Sequence, residues 1–289
     1  MQSRAIQHVT VWLDDLSLED STFPHALEWA LCLNLPLRAV AMTGSNSERE
    51  SRLPVLERIR AWGAACAQKG VPFETHLSVE PTQGAMDHFL RSCGLCVFGE
   101  PSTSRIQRDL FQRASSNPEI CQLLCPNTYA PIRRVLILCH QTELYSAYLE
   151  SAARICQTLE TTPVILVVAR TERDAQLKQG FAEGVFGAQR LRADFDAVVH
   201  GDLGYAVSRV VSWRSCSHVI VERLNDASWW ERTSGKLVEQ FREGSAPVSV
   251  FAIPESAALD VPYKIRRTQA ILPWNRLQKA ELVTTKEPV

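Results

Sequence analysis

Arg91-Ser92-Cys93-Gly94-Leu95-Cys96-Val97 returns later in the chain as Arg214-Ser215-Cys216-Ser217-His218-Val219-Ile220. The offset, 214 − 91 = 123, is close to half of the 289 residues. A recurrence of that span implies two similar domains rather than a solenoid of short repeats. The hydrophobic pattern around each copy agrees: a helical stretch before it, a short apolar run within it, another helical stretch after it.

Working outward from the first copy, His8 to Leu13 is β-branched and aromatic and is stopped by Asp14-Asp15, which reads as a buried strand with acidic residues at its C-terminal end. Phe23 to Leu33 has helical spacing, Leu37 to Met42 reads as the second strand, and Arg52 to Lys69 as a helix with Pro54 in its first turn and Gly70 past its end. Val71 to Val79 is the third strand, Thr82 to Cys93 a helix, and Leu95 to Phe98 the fourth strand. Ile106 to Leu124 reads as a final helix interrupted near Asn117-Pro118, which leaves only Pro126 to Pro131 as a weak fifth strand.

The second half follows the same order. Strands are expected at Arg134 to Cys139, Pro163 to Ala169, Ala197 to His200, His218 to Val221 and Pro247 to Ala252. Helices are expected at Leu144 to Leu159, Glu172 to Arg192, Tyr205 to Arg214 and Trp229 to Phe241. Alternating strands and helices with apolar strand runs imply α/β architecture: two tandem doubly wound domains, each a mainly parallel sheet covered on both faces. The expected boundaries are 1–131 and 132–254, followed by a C-terminal tail, 255–289. The tail lacks a sustained period yet carries Tyr263, Ile265, Ile271, Leu272 and Trp274, so it is expected to pack against a domain or a partner subunit.

Hydrophobic residues at 45%, charged residues at 22% and no apolar run of spanning length argue for a soluble, cytoplasmic protein and against a membrane protein. Mean hydropathy is −0.10. With 31 Lys and Arg against 32 Asp and Glu, there is no electrostatic footprint for a phosphate backbone, so nucleic acid is not expected as a partner. Nine cysteines without an export signal read as reduced core thiols.

The order of elements, the turn at Val198-Val199-His200-Gly201-Asp202 and the closing Ala246-Pro247-Val248-Ser249-Val250 resemble the universal stress protein family. Two successive copies are similar to its tandem form. The resemblance implies five-stranded sheets of order 3-2-1-4-5. It also implies a nucleotide site built from Gly-x-x-Gly after the fourth strand, nine further residues, and then Gly-Ser or Gly-Thr. Glycines there let backbone N–H groups approach phosphates beside a helix start.

Against that pattern the first half reads Gly99-Glu100-Pro101-Ser102: Gly99 matches, Ser102 replaces the second glycine, and no third glycine follows. The second half reads Glu222-Arg223-Leu224-Asn225, where only Gly235, nine residues after Asn225, matches. Asp14 or Asp15 fills the acidic place at the end of the first strand, His140 fills it in the second half, and Met42 closes the second strand. The candidate nucleotide residues are therefore Asp14, Asp15, Met42, Gly99 and Ser102, with His140, Glu222, Asn225 and Gly235 as degenerate equivalents. Trp229-Trp230 is expected to fill space that a nucleotide would take.

Cys93-x-x-Cys96 and Cys121-x-x-x-Cys125 offer a second chemistry. Were Cys96 and Cys125 to open adjacent strands, four sulfurs could converge as zinc requires; the alternative is four core thiols. Cys139 and His140 are neighbours in a strand, point to opposite faces and cannot act as a nucleophile–base pair.

The expected function is that of a stress-response or regulatory protein that binds a protein partner or small effector without catalytic turnover, cofactor or metal. A homodimer is a further assembly to consider. The alternative is adenine-nucleotide binding, ATP or AMP, or a slow ATPase, in the first domain only. A thiol or zinc protein is the third class.

Overall fold

The computed structural model describes residues 4–13, 22–42, 49–78, 82–99, 105–117, 119–126, 128–140, 146–199, 202–223, 248–254 and 259–260. After a two-residue strand β1 (Arg4–Ala5), the first half runs β2 (Val9–Leu13), α1 (Thr22–Leu33), β3 (Leu37–Met42), α2 (Arg49–Lys69) and β4 (Phe73–Ser78). It continues with α3 (Gln83–Ser92), β5 (Leu95–Phe98), α4 (Arg105–Ser116) and β6 (Cys121–Leu124). The second half runs β7 (Val135–Cys139), α5 (Ser146–Thr158), β8 (Val164–Ala169), α6 (Glu172–Ala188) and β9 (Asp194–Val199). It closes with α7 (Leu203–Arg214), β10 (His218–Arg223) and β11 (Ser249–Pro254), before a last short strand β12 (Leu259–Asp260).

Helix ends follow from local chemistry. Thr82, Thr171 and Asp202 accept from the backbone N–H groups of Ala85, Asp174 and Tyr205, satisfying donors that the first turn leaves free. Gly70 ends α2 at φ 69°, where a side chain would be strained. Because α2 starts at Arg49, Pro54 lies in its second turn rather than its first.

The sheet order is β4-β3-β2-β5-β6-β11-β10-β7-β8-β9, ten strands in all. Each half has the order 3-2-1-4-5 with every pair parallel inside it, and the fifth strands join the halves antiparallel: Val250 faces Leu124 and Ala252 faces Gln122. The order is the same read outward from this joint in either direction, which relates the halves by an approximate two-fold axis. Helices α1, α2, α5 and α6 cover one face with a core that runs through both halves. Helices α3, α4 and α7 cover the other.

Several expectations need correction. The fifth strand of the first half is not Pro126 to Pro131, and it is not weak: Cys121–Leu124 is fully buried and paired on both sides, with β5 and with β11. The expected helix therefore stops at Ser116. The third strand of the second half begins at Asp194 rather than Ala197, because it extends to pair along the whole of β8. Within the expected tail, Leu259–Asp260 pairs in parallel with Arg4–Ala5. The helix expected at Trp229 to Phe241 and the tail segment Tyr263 to Trp274 lie outside the described residues.

The joint is packed on both faces. On one, Trp29 of α1 stacks on Phe251 of β11 with centroids 4.6 Å apart, and Glu28 accepts from the Ile132 N–H at 2.9 Å, holding the connection between the halves against α1. On the other, Arg223 of β10 reaches α4 of the first half, donating to the carbonyls of Ala114 and Asn117 and to Gln122 Oε1. These carbonyls belong to the C-terminal end of a helix, the negative end of its dipole.

Candidate functional site

The carboxyl ends of the parallel strands are where ligands bind in open α/β sheets. In the first half that edge is formed by the ends of β2, β3 and β5, which places Met42 opposite Ser78 and Gly99 directly after β5. A Cβ added at Gly99 would lie 3.2 Å from Thr22 Cγ2, so β5 leaves the sheet against the start of α1 with little room for a side chain. Asp14, Asp15 and Ser102 lie outside the described residues, as do Glu100 and Pro101. Of the five first-half candidates, the structure thus places Met42 and Gly99 at one strand edge.

The second half differs at the corresponding point. Aligning the repeated segments sets Gly99 beside Glu222, and here the strand continues: Glu222 and Arg223 stay in register with Ile253 and Pro254 of β11. The extended strand carries two charged side chains into the interior, Glu222 at 0% and Arg223 at 1% exposure. They point to opposite faces, as alternate strand positions must. Glu222 sits beside Cys139 and Tyr148, where burial first and its charge second push the Cys139 thiol up to about 12. Tyr148 donates across to the carbonyls of Leu138 and Ile220, tying β7 to β10.

His140 follows β7 and is drawn down to about 4 by burial and then by Lys178, so it is a neutral imidazole at neutral pH. Lys178 itself bonds the Val168 carbonyl at 3.3 Å and pairs with Asp174 at 2.9 Å. Asn225 and Gly235 lie outside the described residues. At this point Glu222 and Arg223 continue the strand beside β11 rather than turning out of the sheet, and Glu222 brings a carboxylate where a phosphate would need donors.

The four sulfurs do not converge. Cys93 and Cys96 belong to the core under α3 and α4, while Cys121 and Cys125 belong to the core on the opposite face of the sheet. The expectation that Cys96 and Cys125 open adjacent strands is corrected: Cys121 opens β6, opposite Leu95, and Cys125 follows its end. Among the described residues no three His, Cys, Asp or Glu side chains assemble as metal ligands. A cleft of about 730 Å³ opens between α3 and α4, lined by Asp87, Arg91, Asp109 and Arg113 among others. It lies on the flank of the sheet, away from the strand ends.

A polar group at the joint, with His25, Glu28 and His218 buried and Tyr129 half-buried, is assembled from α1, the connection between halves and β10. Its members come from elements far apart in the sequence and meet where the two halves join.

No family model matches the sequence, and no curated protein matches it either. Among solved structures, a universal stress protein from Archaeoglobus fulgidus superposes with a TM-score of 0.57 at 12% identity, covering 84% of this chain and 95% of that one. The chain has the universal stress protein fold. A second structure assigned to the universal stress proteins, from Pseudomonas aeruginosa, gives a TM-score of 0.60 at 11% identity over 86% of this chain and 94% of its own. The cytoplasmic domain of a prokaryotic cation chloride cotransporter gives 0.58 at 11% identity over 89% and 100%. The 3-2-1-4-5 order in each half is the part of the likeness that the sheet itself displays.

Proposed function

We propose that this chain is a non-catalytic binding protein of the universal stress protein type, serving stress response or regulation through a protein partner or small effector in the cytoplasm. The observation that carries the reading is the continuation of β10 through Glu222 and Arg223, which removes the phosphate turn and commits Arg223 to joining the halves. No helix among the described residues is long and apolar enough to cross a membrane.

A second reading keeps an adenine-nucleotide site in the first half alone, favoured by Gly99 at the end of β5. Mass spectrometry of small molecules released from the purified protein, followed by calorimetry with ATP, separates the two. The leading reading expects no released nucleotide and no sub-micromolar binding. One weak ATP site abolished by Gly99→Trp in a protein that still folds moves the assignment to the second reading, and tight binding at two sites per chain overturns both.

A further inference from the structure

The outermost strands of the sheet, β4 in the first half and β9 in the second, each pair on one side among the described residues, with β3 and β8. A terminal strand presents a row of backbone donors and acceptors to which another chain can add. β4 reads Phe73-Glu74-Thr75-His76-Leu77-Ser78, with Glu74, Thr75 and Leu77 exposed, the last at 58%. Its bonding to β3 fixes which groups face outward. The Leu37 N–H donates to the Pro72 carbonyl at 2.9 Å, so that carbonyl points into the sheet. Backbone direction alternates along a strand, so Glu74 and His76 also turn their N–H and C=O toward β3, while Phe73, Thr75 and Leu77 turn theirs away.

We propose that β4 is a dimerisation edge and that its occupant is β4 of a second copy of this chain, paired antiparallel about a two-fold axis at Thr75. In that register Thr75 faces Thr75 and Phe73 faces Leu77. These are the residues whose backbone groups point outward, so each facing pair exchanges both of its N–H···O bonds. Glu74 faces His76 on either side of the axis, as the non-hydrogen-bonded pairs in which side chains come closest. The carboxylate meets an imidazole that can donate to it, and Phe73 of each copy covers Leu77 of the other. Phe73 is already seated against α2, where a Cβ at Gly63 would lie 3.3 Å from its Cδ1, so the apolar pair extends the core on that face. The pairing is independent of nucleotide binding, because it uses the flank of β4 and not the carboxyl ends of the strands.

Neighbouring registers lose this match. An axis at Glu74 sets that carboxylate against itself, and an axis at His76 sets Glu74 against Ser78. The edge at the far end of the sheet has no matching register. There the Asp194 N–H donates to the Pro163 carbonyl at 3.0 Å, so Phe195, Ala197 and Val199 face outward. A two-fold axis at Phe195 opposes Asp194 to Asp196, one at Asp196 opposes that carboxylate to itself, and one at Ala197 sets Asp196 against Val198. Both aspartates are also held within the chain, Asp194 by Arg134 and Asp196 by Arg214. Charge placed on a strand in this way guards an edge against pairing. A contact from β4 to β9 would not close on itself, whereas the two-fold pairing of β4 does. One self-complementary edge and one guarded edge give a closed dimer rather than a filament.

Sedimentation equilibrium of the full-length protein tests the pairing. The wild type is expected at twice the chain mass of 32.4 kDa in the micromolar range. Thr75→Pro deletes an N–H that points away from β3, so the strand keeps its bonds inside the sheet while the central pair is lost. It is expected to sediment as a monomer with unchanged far-ultraviolet circular dichroism. His76→Glu opposes two carboxylates on either side of the axis and is expected to raise the dissociation constant at least about tenfold, which decides the matter even where the proline variant fails to fold. Under mild copper oxidation Thr75→Cys is expected to form a disulfide-linked dimer, its Cα atoms facing at about 5.5 Å, whereas Leu77→Cys and the wild type are not. A wild type that stays monomeric at about 100 µM overturns the proposal. So does a dimer whose dissociation constant His76→Glu leaves unmoved, or equal linking through cysteines at positions 75 and 77.

Discussion

Arg223, the last residue of β10, donates its Nη1 to the carbonyl of Ala114 at 2.8 Å, reaching from the second half of the chain into the last turn of α4 in the first. The guanidinium is held by helix-end carbonyls and Gln122, and burial draws it down to about 10. It remains charged at neutral pH. Replacing it with Met removes several charge-assisted bonds and strands the α4 carbonyls, so Arg223→Met is expected to cost about 3 kcal/mol in urea unfolding. A loss below about 0.5 kcal/mol would mean that the joint does not depend on this contact.

Glu28 makes the joint sensitive to pH. Burial raises its carboxyl from 4.5 to about 7, against the N–H of Ile132 and the Tyr129 hydroxyl, which lower it. The folded state therefore holds this proton more tightly than the unfolded state, and the contribution, up to about 3 kcal/mol, is present below the unfolded value and lost as pH rises toward 7. His25 and His218 work in the opposite direction: burial draws them to about 4 and about 3, so they cost stability as pH falls below 6.5. Glu28→Gln removes only the first term. The stability of the wild type relative to this variant is expected to fall between pH 4.5 and 7, and parallel pH curves for the two proteins would refute the assignment.

Glycines in different surroundings should respond in opposite senses to alanine. Gly94→Ala drives a Cβ into the Ile6 backbone, where nothing flexible can yield, and is expected to destabilise by about 1–3 kcal/mol. Gly180→Ala and Gly184→Ala, inside α6 with nothing within 4 Å, are expected to stabilise by about 0.5–1 kcal/mol each. Thermal unfolding of the three variants checks the contrast directly.

Trp29 and Phe251 give the apolar counterpart of the Arg223 clamp, one ring from each half, stacked and fully buried. Trp29→Ala is expected to cost about 3–5 kcal/mol and to lower the stability of both halves together, because each contributes to the same continuous core. Hydrogen exchange that speeds up in the first half alone would show two independently folding units instead.

Much of the architecture was legible along the chain. Leu37–Met42 and Leu95–Phe98 are strands with the bounds their apolar runs imply, and the repeated Arg-Ser-Cys segment lies at matching places, the ends of α3 and α7 followed by β5 and β10. The signal is local in each case: periodicity, β-branching, a cap or a glycine. The candidate site was less legible, since its argument rested on which residues replace glycine, and replacement alone does not say what the new side chain does.

By itself the sequence determined the alternation of strands and helices, which is a property of short windows. Tertiary structure alone decided that Cys121–Leu124 is a strand: Gln and two Leu suit a helix equally well, and only β5 on one side and β11 on the other supply ladder partners. Gln122 is tolerated at its buried centre because Ser115 and Arg223 satisfy its amide, the latter from 101 residues away. Such a placement depends on hydrogen-bond partners brought together only when the two halves meet, and no window of sequence contains both.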